Sequence, residues 1–340
     1  MTAPSQNRPP RNSQRQRGAA MIIMMLIVML GLIALFTLRM DRKGPELDAD
    51  RKTTLALAQA KEALLGRAAS NADPGTLSCP SVDGTKGQAN TTPGAGGMQC
   101  GNSLIKSNFG WLPWYTLGLG DLRDGSASLL WYMLGSGYID KGTYSPPPTP
   151  SSPLTVTIVV VKVSPTDLSE TIVSSTTIPN IAAVIIAPGS PLPGQNRSGL
   201  ALTNSSYSTA YFEGTANSAT DTLNIKIEQK QNHPPLKYND QYLLVTNKEI
   251  LDRSTPRVAN QFAAELNAYF STYGSYPATG WLPSGGVWSG SGTYADWITT
   301  SAITYKNTGA SSGTVQFNLC AATFNIAQTP GVQVTRSGHC

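Results

Sequence analysis

The stretch RQRGAAMIIMMLIVMLGLIALFTL, residues 15–38, joins a short basic leader ending at Gly18 to twenty mostly apolar residues, Ala19 to Leu38. Twenty residues of α-helix rise about 30 Å, which matches the hydrocarbon core of a bilayer. The plausible processing point, Gly18 before Ala19, precedes the apolar run, whereas the cleavage site of a secretory signal follows it. The stretch therefore predicts a membrane-spanning helix over residues 19–40 that survives removal of a cytoplasmic leader, residues 1–18.

The distribution of charge orients this segment. Arg8, Arg11, Arg15 and Arg17 lie in the leader with no acidic residue among them, so the formal charge of +5 falls by four to +1 beyond it. A basic cytoplasmic flank places the bulk of the chain on the outer side of a bacterial inner membrane, in the periplasm. The near-neutral remainder gives no reason to expect nucleic acid as a partner.

A second helical pattern covers residues 41–70, after an interruption at Gly44-Pro45. Its apolar residues recur at helical spacing and so predict one amphipathic face, made of Leu47, Leu55, Ala58, Leu65 and Ala69. Together with the apolar run, it predicts a stalk helix of about 50 residues, about 75 Å long, from Ala19 to Ser70. The alternative is a membrane anchor followed by an unrelated surface helix.

Residues 71–340 predict a β-rich globular head with two candidate lobes, 71–247 and 248–340, so the expected fold class is α+β. Strands are predicted where β-branched residues cluster, at 154–163, 181–187, 222–230 and 241–246. A helix is predicted from Thr255-Pro256 to Tyr273, with Gly274 at its C-terminal cap. Residues 71–108 predict a long loop and 145–153, SPPPTPSSP, a stiff exposed connector.

The four cysteines are Cys79, Cys100, Cys320 and Cys340, which suits an oxidising periplasm. Four thiols allow three pairings, and the shortest loops come from Cys79 with Cys100 and Cys320 with Cys340. Each of these loops is worth on the order of 3 kcal/mol in the chain-entropy model. The sequence contains no CxxC, so a structural zinc site is not expected.

The leader, the glycine and the apolar helix together resemble the class III signal of type IV prepilins and type II secretion pseudopilins. The resemblance implies that prepilin peptidase cleaves after Gly18 and methylates the new N-terminus, Ala19; an uncleaved signal anchor is the alternative. Family members that pack along a filament usually carry glutamate at the fifth mature position, where this chain has Ile23. In this respect the chain resembles the K-type minor pseudopilins, which lie at a filament tip.

Further segments resemble a long pilin-like family of proteobacteria. One series comprises LSCP, LPW, TLGL, DLRDG and LWY, within residues 77–132. Two more segments are IAAVIIAPGSPLPGQNRS, residues 181–198, and YNDQYLLVTNKEIL, residues 238–251. The resemblance covers most of residues 15–280 and supports the prepilin-like class without implying a mechanism.

Catalytic and metal chemistry find little support in the sequence. There is no GxSxG, and His233 lies in NHPP, a turn sequence, so a serine hydrolase is not expected. Asp121 and Asp124 in DLRDG are too few and too widely spaced for a calcium loop. They are expected to fix a turn or a helix start and to pair with Arg123 or a neighbour. We expect no enzyme activity, no cofactor and no metal.

The six tryptophans divide into two groups. The first, which alternates with Leu and Pro in GWLPWYTLGL and the following segment, predicts core packing: Trp111, Trp114 and Trp131. The second lies in a Gly/Ser-rich segment that predicts exposure, and its members are candidates for surface recognition: Trp281, Trp288 and Trp297.

The function expected from these features is that of a minor pilin or pseudopilin-like subunit. It would take part in assembly, or form the tip, of a type IV pilus or a type II secretion pseudopilus. Its expected partners are prepilin peptidase, other pilins or pseudopilins and inner-membrane lipid, and a filament would carry the head to the cell surface. The alternative is a permanently anchored periplasmic binding module, for example one for carbohydrate.

Overall fold

The computed structural model describes residues 22–30, 44–81, 88, 109–139, 153–197, 210–213, 216–217, 222–229, 237–290, 292–299, 302–328 and 331–340. It is an α+β structure. Four helices are described: α1, residues 22–30; α2, Gly44–Ser70; α3, Asn247–Tyr273; and α4, Ala295–Thr299. The chain divides into two compact units, Met1–Arg51 and Lys52–Cys340.

The predicted membrane-spanning half of a stalk helix is wrong for the described structure. Within the described ranges, no helix combines the length and the apolar character that crossing a bilayer requires. The described part of helix α1, residues 22–30, is apolar and about 14 Å long. Helix α2 has 27 residues, but its first turns carry Glu46, Asp48 and Asp50. Residues 31–43, where the predicted stalk helix would be continuous, lie outside the described residues, as does the leader.

Helix α2 presents a different face to the head from the one predicted. Leu47 and Leu55 are 66% and 60% exposed. The buried face of residues 52–70 is formed instead by Thr53, Ala56, Leu57, Ala60, Leu64, Leu65 and Ala68. Three of these are alanines, whose small side chains allow the helix to lie close to the sheet that it covers. Of the predicted stripe, only Leu65 is in the fully buried core.

The larger sheet has seven strands in the order β1-β2-β4-β3-β6-β5, with β7 also paired to β4. All pairs are antiparallel except β3 with β6. The strands are β1 Phe109–Trp111, β2 Trp131–Leu134, β3 Leu154–Val163, β4 Glu170–Ala187, β5 Ala216–Asn217, β6 Thr222–Glu228 and β7 Gln241–Thr246. The four predicted strands are thus confirmed, although β4 begins eleven residues before the predicted start and β6 ends two residues early.

The second half of β4 organises both cores of this sheet. Residues 181–187 are all buried, and their side chains alternate between the two faces of the sheet. Ala183 and Ile185 belong to the core shared with α2. Val184 and Ile186 belong to the opposite core, which holds the aromatic residues Phe109, Trp111, Trp131, Tyr211 and Phe212. The expectation of core packing is confirmed for Trp111 and Trp131, whereas Trp114 is half-buried and lies outside the cores.

Residues 247–340 add a second lobe around helix α3. Its sheet has four antiparallel strands in the order β11-β10-β9-β8: β8 Ile303–Gly309, β9 Ser312–Phe317, β10 Thr323–Ala327 and β11 Gln333–Ser337. The core between this sheet and α3 includes Val258, Phe262 and Leu266 from the helix and Tyr305, Val315 and Phe324 from the strands.

The predicted start of α3 at Thr255-Pro256 is wrong, because the helix begins at Asn247 and Pro256 lies inside it. Thr246 forms a capping box with Glu249: the Thr246 side chain accepts from the Glu249 amide, and the Glu249 carboxylate accepts from the Thr246 amide. The predicted end is confirmed, since α3 ends at Tyr273. Gly274 caps it in the left-handed region, at φ 71°.

Candidate functional site

Helix α1 is apolar around its whole circumference. Residues 22–30 read IIMMLIVML, and each side chain is between 56% and 72% exposed. A helix of this kind is stable in water only when another apolar surface covers it. Ile23 is one of these residues and is 58% exposed.

The residues of the predicted processing site, Gly18 and Ala19, lie outside the described residues. The structure joins Cys320 to Cys340. Cys79 is also disulfide-bonded, and Cys100, the partner expected for it, lies outside the described residues. Cys340 is further fixed by its amide, which donates to the Asp252 carboxylate of α3 over 3.1 Å.

The expected exposed tryptophan surface is wrong for Trp288 and Trp297, which are each 1% exposed. Trp288 packs edge-on against Phe262 of α3, with ring centroids 5.7 Å apart, and Trp297 packs in the same manner against Phe317. Trp281 is half-buried against the same Phe262 ring. The apolar area of Trp288 and Trp297 therefore stabilises the C-terminal lobe and is not available to a ligand.

A polar cluster forms where three segments meet: DLRDG, PGSPLPGQNRS and YND. At its centre, the Arg197 guanidinium donates to the main-chain oxygens of Gly189 at 2.7 Å and Ala210 at 3.1 Å. It also donates to the Gln195 side-chain oxygen at 2.8 Å and lies 4.9 Å from the centre of the Tyr211 ring. Arg197 therefore ties residues 188–197 to residues 210–213.

Asp124 anchors the same loop from the DLRDG side. Its carboxylate accepts from the amides of Ser126 at 2.8 Å, Ser128 at 2.9 Å and Gly189 at 2.9 Å. Burial raises the pKa of Asp124, and these hydrogen bonds limit the rise. Asp121 pairs with Arg123 at 2.9 Å. The predicted role in fixing a turn is confirmed for Asp124, and the predicted pairing with Arg123 is confirmed for Asp121.

Two further carboxyl groups complete the cluster. The Glu213 carboxylate accepts from the Gln195 side-chain amide and, over 3.3 Å, from the Asn239 main-chain amide. The next residue, Asp240, is only 7% exposed and accepts from the Tyr242 hydroxyl at 3.0 Å. Burial raises the pKa of Glu213 to about 7. Burial and the negative charge of Glu213 raise the pKa of Asp240 well above its usual value.

Sequence reasoning did not single out Arg197, Glu213 or Asp240 as a group. Arg197 lies in the segment 181–198 and Asp240 in the segment 238–251. For Arg197 a signal was available, because it is a charged residue within an otherwise uncharged loop rich in Pro and Gly. Glu213 carries no local signal, because only the tertiary fold brings it beside Asn239 and Asp240.

An open cleft of about 330 Å³ lies where α2, α3 and the C-terminal residues meet. Its lining carries both signs of charge: Glu62, Leu65, Lys248, Glu249, Asp252, Arg253 and His339. Several of these charges are paired, Glu62 with Arg253 at 2.9 Å and Glu249 with Lys61 at 2.6 Å. In the part of the chain that the structure describes, no group of three His, Cys, Asp or Glu side chains could hold a metal ion.

Comparison of the chain with protein-family models, with curated proteins and with solved structures finds no match.

Proposed function

We propose that this chain is a minor subunit of a pilin-like or pseudopilin-like filament and that it acts by assembly. The observation that carries the proposal is helix α1, in which nine consecutive apolar side chains are exposed on all sides. Covering one Leu, Ile or Met side chain is worth about 1.5–3 kcal/mol, so an apolar partner gains a large free energy of association from this helix. The apolar helices of neighbouring subunits are the partners that match it.

The absence of an acid at Ile23 favours a terminal place in the filament over a repeating one. A buried amino terminus needs an opposite charge, and an unpaired charge in an apolar core costs several kcal/mol. A subunit with isoleucine at this position cannot supply that charge to a neighbour. Low abundance relative to the major subunit follows from a place at the tip.

The proposed location is the bacterial inner membrane, with the head in the periplasm or at the cell surface on a filament. The Cys320–Cys340 disulfide suits an oxidising compartment of this kind. Prepilin peptidase and other pilins or pseudopilins are the proposed partners. The alternative of an anchored carbohydrate-binding module loses its main support, because Trp288 and Trp297 are buried.

The proposal is tested with the full chain in a bacterial host that carries pilin assembly machinery. Met25→Glu places a charge on α1, and Leu168→Glu is the matched control on the head, where Leu168 is 45% exposed. We expect the control protein to co-purify with sheared filaments and Met25→Glu to be absent from them, with both heads folded. Intact-mass analysis of the control should show loss of residues 1–18 and one added methyl group.

Two results would reject the proposal. One is an intact mass that still includes Met1 for protein recovered in the filament fraction. The other is Met25→Glu entering filaments as well as Leu168→Glu, because α1 would then play no part in assembly. Immunogold labelling of the head separates a tip subunit, with terminal labelling, from a shaft subunit, with continuous labelling.

A further inference from the structure

We propose that Asp240 is folded as a neutral acid and that the Glu213–Asp240 pair is a pH-sensitive latch. The latch fastens residues 188–197, 210–213 and 237–240 to one another in mildly acidic conditions and weakens as the pH rises. This inference is independent of the filament proposal, because it concerns only the head.

The first argument is the supply of hydrogen-bond donors. The Glu213 carboxyl group receives two donors, the Gln195 side-chain amide and the Asn239 main-chain amide. The Asp240 carboxyl group receives one, from Tyr242 to Oδ2. Its Oδ1 atom is buried and has no hydrogen-bond partner among the described residues. A buried carboxylate with one donor is costly, whereas a neutral acid in the same place is not.

The second argument is the balance of charge around the pair. Arg197 is the cation that acts on both Glu213 and Asp240, and it also acts on Asp124. Three ionised carboxylates against one guanidinium would leave an excess of two negative charges in a largely buried cluster. Among the described residues, the other titratable groups that contact the cluster are Tyr211 and Tyr242, which are phenols and cannot offset this excess. A bound proton is the simplest compensation.

The third argument is what the pair connects. The Asn239 amide that binds Glu213 belongs to the segment carrying Asp240, and the Asn239 side chain donates to the Ser190 main-chain oxygen at 2.6 Å. Gln195, which also donates to Glu213, accepts from Arg197. Repulsion between two ionised carboxylates would therefore act on all three segments at once.

The direction of the pH effect follows from the raised pKa of both groups in the folded state. A raised pKa gives stability that is fully present below the unfolded-state pKa, about 4 to 4.5 for these carboxyl groups. That stability is lost as the pH rises toward the folded-state pKa, which is about 7 for Glu213; for Asp240, burial and the charge of Glu213 raise the pKa well above its usual value. Each proton held only by the folded state changes the opening equilibrium up to tenfold per pH unit.

The test is hydrogen exchange of the full-length chain, kept in solution with a non-ionic detergent, between pH 5 and pH 8 and corrected for the intrinsic exchange rate. We expect peptides covering residues 188–197 and 237–246 to open about tenfold more for each pH unit. Peptides from residues 251–266 of α3 should not change. Asp240→Asn imitates the neutral acid and should flatten the dependence, and Glu213→Gln should reduce it. Asp121→Asn removes an exposed acid and should leave the pH dependence of exchange the same as in the unmodified chain.

The proposal would be overturned if exchange in these peptides does not depend on pH in the unmodified chain. It would also be overturned if Asp240→Asn leaves the pH dependence unchanged. Infrared spectroscopy of the unmodified chain supplies a test that does not depend on a variant folding. A protonated-carboxylic-acid band should persist at pH 7, where exposed carboxyl groups are ionised. If no such band is present at pH 7, Asp240 is ionised and the latch does not exist.

Discussion

Arg336 donates to the main-chain oxygen of Asp252 over 3.1 Å, the acceptor that Pro256 leaves without its helical donor. In an α-helix the amide of residue 256 would bind the oxygen of residue 252, and proline has no amide hydrogen. Arg336 lies on β11, so the second sheet supplies the hydrogen bond that the helix lacks. The same guanidinium also pairs with the Asp252 carboxylate.

We expect Arg336→Ala to lower the free energy of unfolding by about 2 kcal/mol, because it removes a charged donor from a partly buried acceptor. In a Pro256→Ala background the helix regains its own donor, so the same change should cost about 1 kcal/mol less. Urea unfolding of the four proteins gives this difference directly. Equal costs in the two backgrounds would show that Arg336 does not replace the missing helical bond. Lys306→Ala, at an exposed position of β8, is the surface control.

Arg257 and Arg253 provide a matched pair one turn apart on α3. Arg257 donates to the main-chain oxygens of Ala69 and Asn71, where α2 ends, whereas Arg253 forms an exposed ion pair with Glu62. A cation that binds the last carbonyl groups of a helix also interacts favourably with its dipole. We expect Arg257→Ala to cost about 1.5–3 kcal/mol in chemical denaturation and Arg253→Ala no more than about 1 kcal/mol. A reversed order would contradict the capping role.

Asp124 and Asp121 form a second matched pair within DLRDG. Asp124→Asn replaces one carboxylate oxygen by an NH₂ group. This group is a donor, so it cannot accept a hydrogen bond from the main-chain amides that donate to that oxygen in the unmodified chain. We expect a loss of about 2 kcal/mol for Asp124→Asn and less than about 1 kcal/mol for Asp121→Asn, whose ion pair is exposed. Thermal unfolding at constant pH is the measurement. Similar midpoints for the two variants would contradict the anchoring role of Asp124.

Trp288 tests whether the C-terminal tryptophans serve packing. Its indole Nε1 has no hydrogen-bond partner within the described part of the chain. We therefore expect Trp288→Phe to lose only packing volume, while Trp288→Ala loses about 3–5 kcal/mol of stability. Trp281→Ala, at a half-buried position, should cost less. Loss of a binding activity from Trp288→Ala without loss of stability would revive the recognition hypothesis.

The local elements were predictable because their signals lie within a few residues. The segments 154–163 and 241–246 are strands with the predicted ends: β-branched residues fill the first, the second ends in Val245 and Thr246 after Tyr and two Leu, and turn residues bound both. The start of α3 also has a local signal, the capping-box sequence Thr246-Asn-Lys-Glu249. Thr255-Pro256 is a second sequence typical of a helix start, and it led to the wrong prediction. Proline inside a helix is tolerated here because Arg336, far along the chain, supplies the missing donor.

Features that depend on distant partners could not be predicted in this way. The apolar residues of α2 fit more than one face, and the sheet selects the face with Ala56, Ala60 and Ala68. Gly/Ser-rich sequence around Trp288 suggested exposure, yet the ring fills a space beside Phe262. The Arg197 cluster joins residues separated by up to 116 positions, from Asp124 to Asp240.

The boundary between the two lobes contains no linker. β7 ends at Thr246 and α3 begins at Asn247, and Thr246 both pairs with Ile181 of β4 and caps the helix. The lobes are therefore not interchangeable modules: a fragment starting at residue 247 would lack its N-cap, and a head ending at residue 246 would lose Ile250 from its core. Any transplantation or truncation of the C-terminal lobe has to carry Thr246 with it and rebuild the strand to which it belongs.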